Sequence, residues 1–299
     1  MSKHLNASVR HDFELLFDVE GGNPNGDPDN GNAPRTDPVS GHLWVTDVAL
    51  KRKVRNFVAE AFRGEEGFEI YVGEGVALNA HHREASEEAK LKQGSKRARA
   101  DQQKAAAVLC KRFFDVRAFG AVMSTGDHPA GQIRGPVQIA CPAVSVDPVA
   151  SSELTITRVA VTSEKELEKL EKGEGGKDRE MGSKHTVPYA LFRARGSFTP
   201  SFAEKSGFDG RDLDRFWDAL QRMWALDRSS SRGTTGCRGI HIWTHADKFG
   251  RAHAGSLFDR LTVRRRDDEI EARCFDDYSI TVDLETLPEG VTYTGLAVE

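Results

Sequence analysis

A chain of 299 residues with net charge −4 and a pI near 6.2 is not a generic nucleic-acid coat, which would be basic overall. Its hydrophobic content of 38%, with 16 Phe and 4 Trp, supplies a core for one large domain or two small ones, while 29% charged residues imply a wide polar surface. No apolar run approaches the roughly 20 residues that span a bilayer, and Met1-Ser-Lys-His-Leu-Asn6 has no signal-peptide core, so a cytoplasmic protein without membrane contact is expected.

Residues 9–20 alternate as a strand and break at Gly21-Gly22. A long loop over 23–43 follows, too rich in Gly, Pro, Asn and Asp to be a simple connector. We read residues 22–45 as an inserted finger. Asn23, Asn25, Asp27 and Asp29 alternate like calcium ligands, but an EF-hand needs Gly after the third ligand and Glu at the twelfth position, where Pro28 and Pro34 stand. No metal or other cofactor is expected. The Asn and Asp residues instead shape turns, with Asn25, Asn32 and Arg35 facing a ligand. Thr46 or Asp47 then caps a helix to about Phe62, buried through Leu50, Val54, Phe57, Val58, Ala61 and Phe62. Lys51, Arg52 and Arg55 fall in one arc beside that face, with Lys53 on the opposite flank. Few acids lie at i±4 to pair with them, so phosphate binding is the expectation.

A strand at 69–73, helices at 81–92 and 98–114, and a strand at 135–140 come next. Basic residues concentrate here: 81–117 holds ten basic and five acidic side chains. Between strand-like arms at 154–161 and 185–193, thirteen of the twenty-two residues at 163–184 are charged, which predicts a hairpin over 155–187 projecting into solvent or onto a partner. A helix over 210–227 presents Leu213, Phe216, Trp217, Leu220, Met223, Trp224 and Leu226 to the core, then 239–243 is a short buried strand and the last 40 residues are irregular strands. The order fits an α+β, ferredoxin-like β-α-β-β-α-β palm, 1–299 as a single domain, carrying the finger and hairpin as insertions. RNA-recognition-motif domains share that fold, but their aromatic signature is absent, so base stacking on the sheet is not expected.

The other candidates are weak. Cys110, Cys141, Cys237 and Cys274 lie far apart and read as buried thiols rather than a metal or disulfide set. His241, His245 and His253 lack metal-binding spacing, and His241 alternates out of its strand as a surface residue. The loop Ser229-Ser-Ser-Arg-Gly-Thr-Thr-Gly-Cys-Arg238 is polar enough to cradle phosphate, chiefly through Arg232, but is no P-loop. No catalytic triad or nucleophile pattern stands out.

The block Asp18 to Arg35 with Val45 to Arg55 resembles the N-terminal signature of the Cas7 backbone subunits of CRISPR Cascade complexes, most closely the type I-C kind. The resemblance continues in order through Asp115-Val-Arg-Ala-Phe-Gly120, Gly135-Pro-Val-Gln138, Met181-Gly-Ser-Lys-His185 on through Val187-Pro-Tyr189 as one block, and Asp227-Arg-Ser-Ser-Ser-Arg232, which makes five landmarks with the first. It implies an RRM-like palm with fingers and a thumb hairpin at 155–187, and copies that stack as a helical filament on a CRISPR guide RNA. Target DNA is then read by guide pairing, with a Cas5-like subunit and a large subunit as further Cascade partners. It also implies guide contacts from Thr46, Lys51, Arg52 and Arg55, and makes Asn25 and Arg35 contacts. Tyr189-Ala190 departs from the family's commoner tyrosine-glycine pair. The expected function is non-catalytic RNA binding in antiviral defence. The alternatives are a guide-dependent ribonuclease as in type III effectors, with Asp27 or Asp37 as the reactive carboxylate, and a solitary RNA-binding module.

Overall fold

The computed structural model describes residues 2–94, 96–173 and 179–296. Its frame is an antiparallel sheet of β1 (His11–Gly22), β2 (His42–Val45), β3 (Val137–Ile139), β4 (Ala143–Pro148), β5 (Ser152–Arg158), β6 (Glu180–Phe198), β7 (Thr234–His245) and β8 (Val291–Leu296). Across the sheet the order is β8-β7-β1-β6-β4-β2. The long β6 also pairs with β3 near its C-terminal end and with β5 at its N-terminal end. The helices are α1 (Asp47–Ala61), α2 (Leu78–Glu88), α3 (Arg99–Arg112), α4 (Phe114–Phe119), α5 (Glu164–Glu171), α6 (Pro200–Ser206), α7 (Gly210–Arg222) and α8 (Ala254–Phe258).

Strand alternation assigns the two faces of β1. Phe13, Leu15, Phe17 and Val19 point to one side, where Leu50, Val54, Phe57 and Val58 of α1 and Leu213, Phe216, Trp217 and Leu220 of α7 pack on them. The other side carries Leu16 between three buried carboxylates, Asp12, Glu14 and Asp18. Each has an arginine: Arg10 for Asp12, Arg193 and Arg195 for Glu14, Arg238 for Asp18, and Asp12 also lies 2.9 Å from His245 Nε2. Tyr189 Oη also donates to Asp18, at 2.9 Å. Helix α8 and a ribbon of Leu261–Arg265 with Tyr278–Val282 cover this face through Leu257, Phe258, Leu261 and Val263. His241 stands on that side too. It is half-buried against Tyr293 Oη (2.7 Å), and burial pushes its imidazole down to about 4. The surface position expected for His241 is therefore corrected.

A third cluster is built by α2, α3, α4 and the ribbon Gly120–Met123 with Gly131–Arg134, around Tyr71, Leu109, Phe113 and Val116. The expected strand at 69–73 does not form; only an isolated bridge joins Glu69 to Phe113. The backbone amides of Tyr71 and Val72 donate to Asp115 instead, at 2.7 and 3.1 Å. Phe113 is extended and divides the expected helix 98–114 into α3 and α4. Helix 210–227 tightens to a 3-10 turn from Met223, which leaves Leu226 half exposed rather than in the core. Of the cysteines, Cys110 and Cys237 are buried, whereas Cys141 and Cys274 are exposed.

Arms β5 and β6 pair from Ser152–Thr186 to Arg158–Glu180. Between them stands α5, started by a capping box of Ser163 and Glu166. No residue of α5 is buried, so replacing 163–173 by a Gly-Ser turn should change unfolding free energy by less than about 0.5 kcal/mol. Urea titration checks this; a loss of several kcal/mol would place the segment in the core.

Candidate nucleic-acid interface

The finger loop leaves β1 at Gly22, which fits only because it has no side chain: a Cβ there would lie 1.9 Å from the Arg232 carbonyl oxygen. Asn23 N donates to Ser231 O at 2.8 Å, and Arg232 Nη1 donates back to Pro24 O at 3.2 Å. The loop 228–233 is thus stapled to the start of the finger. A short ribbon of Gly26–Asp27 with Ala33–Pro34 then folds the finger on itself. Asn32 sits in the left-handed region, at φ 59, where Asn is tolerated. Asn23 Nδ2 donates to Asn32 O at 2.6 Å and leaves its Oδ1 buried with no partner among the described residues.

The first turns of the long β6 arm stand opposite. Lys184 Nζ reaches Ser230 Oγ at 3.4 Å, bridging the hairpin base to loop 228–233. The three segments enclose a groove of about 540 Å³, with Asn23, Asn25, Gly26 and Asn32 on one wall, Ser183, Lys184 and His185 on the second, and Ser230, Ser231 and Arg232 on the third. Two cations, a histidine and several amide and hydroxyl groups suit a phosphate backbone with its sugars.

Of the residues expected to bind, Asn25, Asn32 and Arg232 meet here. Asn25 Oδ1 accepts from Thr46 N (2.9 Å) and Thr46 Oγ1 (3.0 Å), and Thr46 Oγ1 accepts from Ala49 N as the N-cap of α1. Asn25 and Thr46 therefore join the finger to the helix start. Arg35 runs alongside, its backbone N donating to Asn25 O at 3.2 Å and its Nη1 at 3.4 Å from Asp27 Oδ1.

The three helix cations do not join the groove residues, and the expected lack of acidic partners is corrected. Lys51 Nζ pairs with Asp47 at 2.8 Å, one turn earlier. Arg52 Nη1 donates to Val72 O at 2.8 Å. Arg55 Nε donates to buried Asp115 at 2.7 Å, with its guanidinium 5.3 Å above the Phe119 ring. Lys53, read as a flank residue, is buried beside Trp224 and ion-paired with Asp227. Burial, and next the charge of Arg232, push its ammonium below the ordinary range. This pair ties α1 to the root of loop 228–233. Nothing local in the sequence marks it, since its partners are 174 positions apart. Lys184 and His185 were visible only as part of a landmark, not as contacts.

Residues 9–283 match the family model of CRISPR-associated protein Cas7. The chain belongs to the Cas7 family. A curated Cas7 protein of Haloferax volcanii is 40% identical over 63 residues, which are 21% of this chain and 17% of the relative. The match thus spans about a sixth of that relative's length. Among solved structures, a chain of a pre-nicking CRISPR RNA-guided surveillance complex is 17% identical with a TM-score of 0.46, covering 79% of this chain and 78% of its own. A chain of a type III-B Cmr-beta complex bound to cognate target RNA is 13% identical with a TM-score of 0.40, covering 78% and 61%.

Within this Cas7 chain the five sequence landmarks divide by role. Two are packing devices. Asp115 holds Arg55 and the amides of Tyr71 and Val72, while Gly120 and Gly135 touch so closely that a Cβ on Gly135 would lie 2.4 Å from Gly120 N. The other three, the finger loop, 181–185 and 227–232, converge on the groove.

Proposed function

We propose that this Cas7 protein is a guide-RNA-binding backbone subunit of a type I-C Cascade complex, polymerising along the CRISPR RNA and supporting guide–target DNA pairing. The observation that carries the reading is the convergence of three segments, drawn from the start, middle and last third of the chain, on one polar groove with Lys184 and Arg232. The protein grips backbone and shape there, and base pairing supplies specificity. Residues 22–45 act as the finger, and the β5–α5–β6 hairpin as the thumb that sets strand geometry against the next copy. The strand order β7-β1-β6-β4, with α1 leading from β1 toward β4 and α7 from β6 to β7, supports a ferredoxin-like palm. Its outer face is covered by α8 and the C-terminal ribbon, which favours RNA at the finger and hairpin base over RNA on the sheet.

The subunit works in the cytoplasm with a Cas5-like and a large subunit, and without a cofactor. Among the described residues no helix is long and apolar enough to cross a membrane. Expressed beside a guide-RNA source, the chain should copurify with nuclease-protected RNA of defined length; recovery free of RNA would count against the reading.

The subunit is non-catalytic in this reading. Asp27 Oδ1 accepts from Asp29 N and faces Arg35, and Asp37 Oδ1 accepts from Val39 N at 2.9 Å. Both carboxylates serve loop shape. Guide RNA, complementary RNA and complementary DNA should stay intact with the assembly in Mg²⁺ or Mn²⁺. Regularly spaced RNA fragments that vanish on Asp27→Ala or Asp37→Ala would make the protein a ribonuclease instead.

A further inference from the structure

Asp227, at the end of the 3-10 turn Met223–Asp227, stands between two cations. Its Oδ2 is ion-paired with Lys53 Nζ of α1 and lies 3.8 Å from Arg232 Nε of loop 228–233. Lys53 is 6% exposed, lies against the Trp224 ring and is not part of the groove lining. The positions one turn away on α1, Ala49, Leu50, Asn56 and Phe57, carry no charge. That leaves Asp227 as the counter-ion of Lys53 and Arg232 as the like charge that acts on it. Arg232, by contrast, is half-buried and lines the groove. Its Nη1 is spent on the carbonyl oxygens of Asn23 and Pro24, at 3.4 and 3.2 Å, while its Nη2 has no partner among the described residues.

A carboxylate beside a phosphate site opposes the ligand unless its charge is met from elsewhere. With Lys53 protonated, Asp227 is met from behind, and Arg232 keeps its positive charge toward the groove. Without that ammonium, Asp227 has Arg232 as its remaining cation. Opposite charges about 4 Å apart attract strongly in a partly buried place, so the carboxylate and the guanidinium then form a pair that is neutral as a whole. Arg232 would be drawn from the groove toward the turn, and its attraction for a phosphate would be largely cancelled.

We infer that Lys53 is a positioning residue for RNA binding, which occupies Asp227 and so releases the Arg232 guanidinium for a phosphate. The inference rests on the guide-groove reading and adds to it a buried group that touches no RNA. A plain structural tie would make Asp227 helpful to RNA. Here Asp227 is the opposing charge that Lys53 cancels, and removing both should therefore do less harm than removing Lys53 alone.

The test titrates the full chain with a fluorescent oligouridylate short enough to take one protomer, between about 50 and 200 mM salt. The pH is held at about 6, below the value of about 7 to which burial, and next the charge of Arg232, push the Lys53 ammonium. Lys53→Met should weaken binding and reduce the slope of log K against log salt by about 0.7, the share of one contact. Arg232→Ala should do the same, and adding Lys53→Met to it should reduce the slope no further. Lys53→Met/Asp227→Asn, which leaves neither buried charge, should regain the slope of the unmodified chain. Bound phosphate favours the protonated lysine, so affinity is highest below about 7 and is lost as the pH rises through it. At about pH 8 the unmodified chain should therefore lose more affinity than Lys53→Met, which keeps His185 in the groove. Urea midpoints show which variants are folded. If Lys53→Met is not, Asp227→Asn alone decides: a full slope supports the proposal, and a loss of about 0.7 means that Asp227 anchors Arg232 and overturns it. An unchanged slope in Lys53→Met, a double variant as weak as the single one, or equal pH dependence of the two proteins would overturn the proposal and leave the groove standing. A slope unchanged by Arg232→Ala would overturn the groove reading, and this proposal with it.

Discussion

Arg55→Ala should lower the unfolding free energy by about 3–5 kcal/mol, the range for removing one partner of a buried ion pair. Arg55 lies on the helix arc that a sequence reader assigns to the guide backbone, yet its Nε is 2.7 Å from Asp115, whose side chain is 1% exposed. Without the guanidinium, that carboxylate keeps only the amides of Tyr71 and Val72 and becomes a buried charge without a counter-ion. The joint between α1 and the α2–α4 cluster then loosens. Urea denaturation of the RNA-free protein measures the effect. A cost below about 1 kcal/mol, typical of an exposed pair, together with a large loss of RNA affinity, would return Arg55 to the ligand side.

Lys184→Ala/Arg232→Ala should weaken RNA binding irrespective of RNA sequence and reduce the salt slope by about 1.4, from two lost contacts at about 0.7 each for a single strand. The two cations stand on different walls of the groove, and Lys184 Nζ is 3.4 Å from Ser230 Oγ. Arg232 also anchors the start of the finger through Pro24 O, so Lys184→Gln alone, with half the expected change in slope, separates charge loss from loop movement. Lys51→Ala should change the slope far less, because its charge is already compensated by Asp47. The reverse ranking of Lys184 and Lys51 would move the guide from the groove to the helix.

Much of the scaffold was legible because its signals are local. Thr46 as N-cap and the spacing of Leu50, Val54, Phe57 and Val58 define α1 without tertiary information. The finger loop declares itself by turn chemistry, and α7 by its apolar stripe. Two local signals were there to be read otherwise: Asp47 stands four residues before Lys51, and the capping box Ser163–Glu166 marks a helix inside a segment that composition alone consigns to solvent. Other features are set by distant partners. Residues 69–73 have strand composition, but Asp115 takes the backbone donors that a ladder would use. Lys53 looked like one more surface cation until the fold supplied Asp227. The groove itself is a product of topology. Only because β6 and β7 flank β1 do the hairpin base and loop 228–233 meet at the finger.

The central claim is that this chain is a repeating subunit on RNA, and its mass on RNAs of increasing length tests that most directly. Light scattering after size exclusion, with the purified chain in excess over single RNAs of several lengths, reads the number of protomers per strand. The account predicts that this number rises in equal steps with RNA length, and that shortening the hairpin tip at 163–173 disrupts the regular steps while leaving the protomer folded. One protomer per RNA at every length, or no complex at all, would contradict it.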